Sequence, residues 1–266
     1  MPLRRTAADH HPVRAPRTLA PLSPMAQLRA GRLPRRLVQL YAGLTLYGVS
    51  MAMMIRAELG LDPWDVFHYG VARHVDLSFG TIVIVVGALV LLLWVPLRQW
   101  PGVGTVSNVF VIGLATDAAL ALMSPPDALW ARGLLLGSGI VLNGLAGAMY
   151  IGSQFGAGPR DGLMTGLVRR TGLSVRLVRT SLELMVLGVG WLLGGVIGVG
   201  TVLYAVLIGP IVHVALPRLT VDLDEPARAP EPERRAPVSD RRGSGSERPA
   251  VSTDSAPQGA LSAATP

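Results

Sequence analysis

Six ionisable side chains sit in or beside apolar stretches that would bury them in lipid: Asp65, Asp117, Arg160, Asp161, Arg179 and Glu183. A charge at the centre of a bilayer costs about 2.5–3.5 kcal/mol on insertion scales, so such a group normally faces a partner or a wet cavity. Arg179 and Glu183 are four residues apart and share one helical face. They form either a local ion pair that carries a helix into the membrane or a site for a cation, a proton or a polar solute. Asp65 and Asp161 each follow a proline by two residues, in Pro63-Trp-Asp65 and Pro159-Arg-Asp161. Proline suits the first helical position, with Asp62 or Gly158 as the cap and the carboxylate against the positive end of the helix dipole. Helix initiation explains both carboxylates. A functional alternative is that two half-helices meet end to end and present backbone N–H groups to a solute, with Arg160 adding positive charge. Asp117 either joins such a site or snorkels to the nearer interface.

Other motifs read more plainly. Gly102-Val-Gly-Thr105 and Gly198-Val-Gly-Thr201 lack the spacing and the lysine of a phosphate loop, so they read as tight interhelical turns with threonine as cap. Asn108 and Asn143 are expected to hydrogen-bond between helices. Ser153 and His213 fall on separate spans, as a rhomboid-like protease would need, but Gly152-Ser153-Gln154 is not its G-x-S-G motif. The expectation is a non-enzyme without metal or cofactor, and the absence of cysteine excludes thiolate sites and disulfides.

The elements that must position these residues are membrane helices. Half of the 266 residues are apolar, 15% are charged and the mean hydropathy is +0.45, too apolar for a soluble domain of this size. All 24 basic residues are arginine and the net charge is +7. The arginines cluster at the ends of apolar runs, as in Arg29, Arg32, Arg35 and Arg36 or Arg169, Arg170, Arg176 and Arg179. That distribution suits anionic lipids at a cytoplasmic face and not nucleic acid. Uncharged runs cover 37–55, 77–97, 99–116, 133–159 and 184–217. The third extends past Asp117 to about Met123. The last is too long for one crossing and must break at Gly194, Gly195, Gly198 and Gly200, which makes about six transmembrane helices.

An offset of 96 residues repeats the chain on itself: Gly60-Leu-Asp-Pro63-Trp-Asp65 returns as Gly156-Ala-Gly-Pro159-Arg-Asp161, and Leu77-Ser78 as Leu173-Ser174. The expected organisation is a flexible basic cytoplasmic tail over 1–36, a first membrane repeat over 37–123, a second over 133–217 and a disordered tail over 218–266. Met25 is an alternative start. Each repeat holds three spans and a short Pro-initiated half-helix, at 63–76 and 159–172. A three-span unit followed by its copy is inverted in the membrane. Had the short segments also crossed, eight spans and a parallel repeat would give the same arginine asymmetry. The length and polarity of those segments favour six, in a bacterial inner membrane with both termini in the cytoplasm.

Over roughly 38–216 the chain resembles the YczE-like family of bacterial membrane proteins, distantly akin to YitT. The resemblance rests on Gly156-Ala-Gly-Pro-Arg-Asp161-Gly-Leu-Met164, Glu183, Gly190-Trp-Leu-Leu-Gly-Gly195, Gly198-Val-Gly-Thr201 and Gly209-Pro210. The first half is looser, with Trp64 in place of the arginine and Arg98-Gln99 in place of the paired glycines. It implies the membrane fold and no particular chemistry. Two functions remain open: a small-molecule or ion transporter built on inverted repeats, and a non-transporting accessory protein for a partner enzyme. Either could act as a homo-oligomer.

Overall fold

The computed structural model describes residues 24–223, and the expectations for the remaining tail residues lie outside them. The described residues are helical, with no strand among them: α1 (Pro24–Arg29), α2 (Leu33–Ala57), α3 (Pro63–Ala72), α4 (Phe79–Trp94), α5 (Val103–Leu122), α6 (Leu129–Gly152), α7 (Pro159–Thr171), α8 (Val175–Leu192) and α9 (Val199–Leu219). Four of these, α2, α5, α6 and α9, are long and apolar enough to cross a membrane, and α4 is a shorter apolar helix.

The starts of α2, α3, α4 and α5 recur 96 residues later as the starts of α6, α7, α8 and α9. Left-handed backbone recurs at the same offset, at Glu58 and Gln154, Gly60 and Gly156, Arg98 and Gly194. Helix directions follow from the contacts. The guanidinium of Arg56, near the end of α2, reaches Leu120 O near the end of α5, so α2 and α5 run parallel. Gly152 at the end of α6 abuts Leu219 at the end of α9, so those two are also parallel. Arg36 at the start of α2 meets Ser153 just past α6, so the two parallel pairs oppose each other. Glycine permits the close approach: a Cβ on Gly43 would lie 2.8 Å from Tyr150 N, and one on Gly48 2.6 Å from Ile112 O.

The two halves exchange backbone hydrogen bonds. Gly104 N donates to Phe155 O at 2.9 Å, and Gly200 N, its counterpart, donates to Leu59 O at 2.7 Å. Thr105 and Thr201 cap these helix starts as expected, accepting from Gly102 N at 3.1 Å and from Gly198 N at 3.2 Å. The half-helices also cross over, α3 packing on α8 and α7 on α4. One asymmetry stands out: α4 packs on α5, whereas α8 and α9 are not a packed pair.

Helix α1 and the first turn of α2, within residues 1–36, are tied to the end of α6, which runs from Leu129 to Gly152. The physical reason is Arg36, fully buried although charged. Its guanidinium donates to Ser153 O at 2.9 Å, Gln154 O at 2.9 Å and Gln27 O at 2.6 Å, and lies 4.3 Å from the centre of the Phe155 ring. It supplies donors to carbonyls that α6 leaves unpaired at its C-terminus, the end that favours a cation. Replacing Arg36 with leucine should therefore lower stability in detergent by about 3 kcal/mol, the cost of stranding buried acceptors. Arg35→Leu, at an exposed position, should stay within about 0.5 kcal/mol in the same unfolding assay.

Candidate functional site

The N-termini of α3 and α7 converge. Asp62 caps α3, its Oδ1 accepting from Trp64 N at 2.9 Å and Asp65 N at 3.2 Å. Gly158 holds the equivalent place before α7 and has no side chain to do so. From the second residue of α7, Arg160 reaches across to α3: its Nη1 stands 3.9 Å from Asp62 Oδ1, and its guanidinium lies 4.9 Å from the centre of the Trp64 ring. Trp64 and Arg160 occupy equivalent positions at the 96-residue offset, so the cation lies against the ring that stands in its own place in the first half of the chain. Asp161 Oδ2 accepts from Tyr150 OH at 2.9 Å. Asp65, fully buried, accepts or shares a proton with His68 Nδ1 at 3.1 Å.

Two cavities flank this junction. One, of about 90 Å³, lies towards α4 and α5 and is lined by Tyr47, Asn108, Tyr150, Arg160 and Asp161. The other, of about 130 Å³, lies towards α8 and α9, between Asp62, Arg160, Arg179, Glu183 and Tyr204. An apolar groove of about 500 Å³ opens beside Trp64 between α4 and α8. The junction can hold a small polar or charged solute, because it combines helix N-termini, carboxylates, a guanidinium and aromatic faces around enclosed space.

Five of the six sequence candidates come together here. Arg160, Asp161, Arg179 and Glu183 line the larger polar cavity, and Asp65 sits one turn behind Asp62. Arg179 Nε donates to Glu183 Oε1 at 2.9 Å, with both side chains substantially exposed at 55% and 41%, so the pair stands at the cavity mouth. Asp117 stands apart. Its carboxylate accepts from Gly80 N at 2.7 Å and from the Ser78 hydroxyl at 2.5 Å, tying the end of α5 to the start of α4. Asn143 makes the expected interhelical bonds, donating to Ser50 Oγ at 2.9 Å and accepting from Tyr204 OH at 3.1 Å. Ser153 is buried with its hydroxyl donating to Tyr150 O at 2.5 Å, while His213 is exposed on α9.

Sequence reasoning missed Tyr47, Tyr150, Tyr204, His68 and the position of Asp62 in the cavity wall. The tyrosines carry no spacing signal, but the halves do. Tyr47 and Asn143 are counterparts, as are Asn108 and Tyr204, and aligning the copies marks both pairs as polar positions.

Four apolar helices long enough to cross a membrane, packed around a polar junction, define an α-helical, multi-pass membrane protein. The chain matches the family of unknown function DUF6198 over residues 34–217 and belongs to it. It is 36% identical over 181 residues to the uncharacterized membrane protein YczE of Bacillus subtilis, covering 67% of this chain and 84% of that one. An uncharacterized protein of Haemophilus influenzae is 39% identical over 173 residues, covering 65% and 79%. Another B. subtilis protein, the uncharacterized YyaS, is 25% identical over 179 residues. No solved structure matches the chain. The YczE-like resemblance read from the Gly156–Met164 string is borne out.

Asp117 and Asp62 should separate in experiment. Asp117→Asn weakens the bonds at the start of α4 and should cost about 1–3 kcal/mol of stability. Asp62→Asn keeps an oxygen for the α3 cap and should cost less in the same unfolding assay. It should loosen Arg160, read as faster modification of the guanidinium by phenylglyoxal.

Proposed function

We propose that the protein is a small-molecule or ion transporter of six spans, made of two inverted three-span repeats, in a bacterial inner membrane with both termini in the cytoplasm. The observation that carries this reading is the meeting of two half-helix N-termini around Asp62 and Arg160, with polar cavities on both sides. Half-helix ends near the midplane, at the interface of inverted repeats, are a recurrent way to bind a transported solute. The parallel pair α2 and α5 runs opposite to the parallel pair α6 and α9, which supports inversion. In this reading α4 and α8 complete the span count. At 18 residues α8 falls short in apolarity because Arg176, Arg179 and Glu183 lie in its first half, towards the cavity mouth and an anionic leaflet.

The asymmetry of packing supports alternating access. Closure of α4 on α5 with α8 held off α9 describes one half shut and the other open, and exchanging the two arrangements would open the opposite side.

A second reading, an accessory protein that docks a partner or a second copy, draws on α6. Gly133 and Gly137 have open space where a Cβ would stand, in a G-x-x-x-G pattern beside exposed Trp130 and Leu134. Neither reading assigns a catalytic step, a cofactor or a metal.

Two measurements test the proposal. Single cysteines at Asp76 and Leu173, in the loops that follow the half-helices, should react with an impermeant maleimide from opposite sides of the membrane. Labelling of both from one side would replace the inverted arrangement with a parallel one. Purified protein screened by thermal shift against a panel of metabolites and ions should be stabilised by a ligand that also accumulates in reconstituted vesicles, and Arg160→Gln should abolish both effects. Stabilisation by a co-expressed protein alone, lost on Gly133→Leu with Gly137→Leu, would favour the accessory reading.

A further inference from the structure

Helix α3 carries Asp62, Asp65 and His68 at its start and along one face, all almost completely buried. Their hydrogen bonds account for only half of the carboxylate oxygens. Asp62 Oδ1 takes the N–H groups of Trp64 and Asp65, and Asp65 Oδ1 faces His68 Nδ1. Asp62 Oδ2 and Asp65 Oδ2 are buried and have no hydrogen-bond partner. The two residues lie one turn apart at the start of α3, where Asp62 Oδ1 accepts from Asp65 N, so two buried acids share one helix end. Two ionised carboxylates buried one turn apart repel and neither can donate, so a proton on the pair relieves the repulsion and supplies the donor that the unpartnered oxygens lack.

The surroundings determine when that proton is needed. Arg160 on α7 is the cation nearest Asp62, yet at 3.9 Å it is beyond hydrogen-bond distance and rests against Trp64. Tyr47 on α2 and Tyr204 on α9 face the same cavity as neutral phenols. Asp161 on α7 is engaged by Tyr150, and Arg179 and Glu183 on α8 neutralise each other at the mouth. Helix α4, also packed on α3, carries no titratable side chain. Beyond His68, which is bonded to Asp65, the charge on the pair is therefore balanced either by Arg160 or by a proton. Asp62 lines the larger polar cavity, which gives the proton a route to water.

We infer that Asp62 and Asp65 form a proton-binding pair that exchanges its proton with water in the cavity, releasing it as Arg160 closes on Asp62 and taking it up as Arg160 is drawn away. A solute that engages Arg160 would thus be bound together with a proton, which makes the proton the coupling ion. That last step rests on the transport reading. The proton site itself does not.

Infrared spectroscopy of the purified full chain in lipid nanodiscs tests the site without a substrate. The expected result is a protonated-carboxyl C=O stretch that disappears reversibly as pH rises, shifts on ¹³C-labelling of aspartate and is absent in Asp65→Asn. Arg160→Gln should move its titration upward by about one to three pH units, the effect of removing a neighbouring opposite charge. Should Asp65→Asn fail to fold, the labelled wild type and Arg160→Gln decide alone. The inference is overturned by the absence of an aspartate band, by a band that does not titrate while the helical circular dichroism persists, or by a titration indifferent to Arg160→Gln. Failure of every uptake assay with the titrating band intact would instead remove the transport reading and leave the proton site standing.

Discussion

In lipid, a peptide group that leaves a helix must find its partner inside the protein, and the rest of this structure depends on how that constraint is met. The chain leaves regular helix twice within the packed bundle, between α2 and α3 and between α6 and α7. Leu59 O and Phe155 O, exposed by those breaks, are taken by Gly200 N and Gly104 N of the other half. Because each half supplies the donor that the other lacks, neither half satisfies its own backbone alone. The glycines of the Gly-Val-Gly-Thr motifs follow from this. A Cβ on Gly104 would stand 2.8 Å from Phe155 O, and one on Gly200 2.4 Å from Gly60 O, so any larger residue would push the partner loop away.

Once the backbone is held this way, side chains at the break are free to diverge. Asp62 corresponds to Gly158 and Trp64 to Arg160 at the 96-residue offset, and Glu183 and Arg179 correspond to Gly87 and Val83 in α4. The helix starts match at this offset, while Asp62, Arg160, Arg179 and Glu183 stand where the two halves of the chain differ and Asp65 and Asp161 where they agree. One side of the junction keeps the apolar wall of Val83, Val86 and Val90 on α4, and the other has the charged mouth of Arg179 and Glu183 on α8.

Arg36 shows the same economy at the edge of the bundle. Its acceptor carbonyls lie on α1, at Gly31 just after it, and in the turn after α6, so one guanidinium joins the start of the first long helix to the end of α6. A lysine could not satisfy that fork of acceptors with a planar set of donors.

Much of this was legible from residue order alone. Long uncharged runs, the 96-residue offset, and the prolines at Pro63 and Pro159 determined helices, their starts and the half-helix pair, because these depend on local hydropathy and backbone chemistry. Threonine caps at Thr105 and Thr201 and the Arg179–Glu183 pair were legible for the same reason, since partners three or four residues apart meet on any helix. Tertiary structure alone decided that Arg36 is buried, that Asp117 secures α4, and that Tyr47, Tyr150, Tyr204 and Asp62 border the same space as Arg160. Those roles depend on which carbonyls, rings and cavities other helices bring alongside, and partners such as Asp117 with Gly80, 37 residues apart, or Arg36 with Gln154, 118 apart, leave no period in the sequence that would announce them.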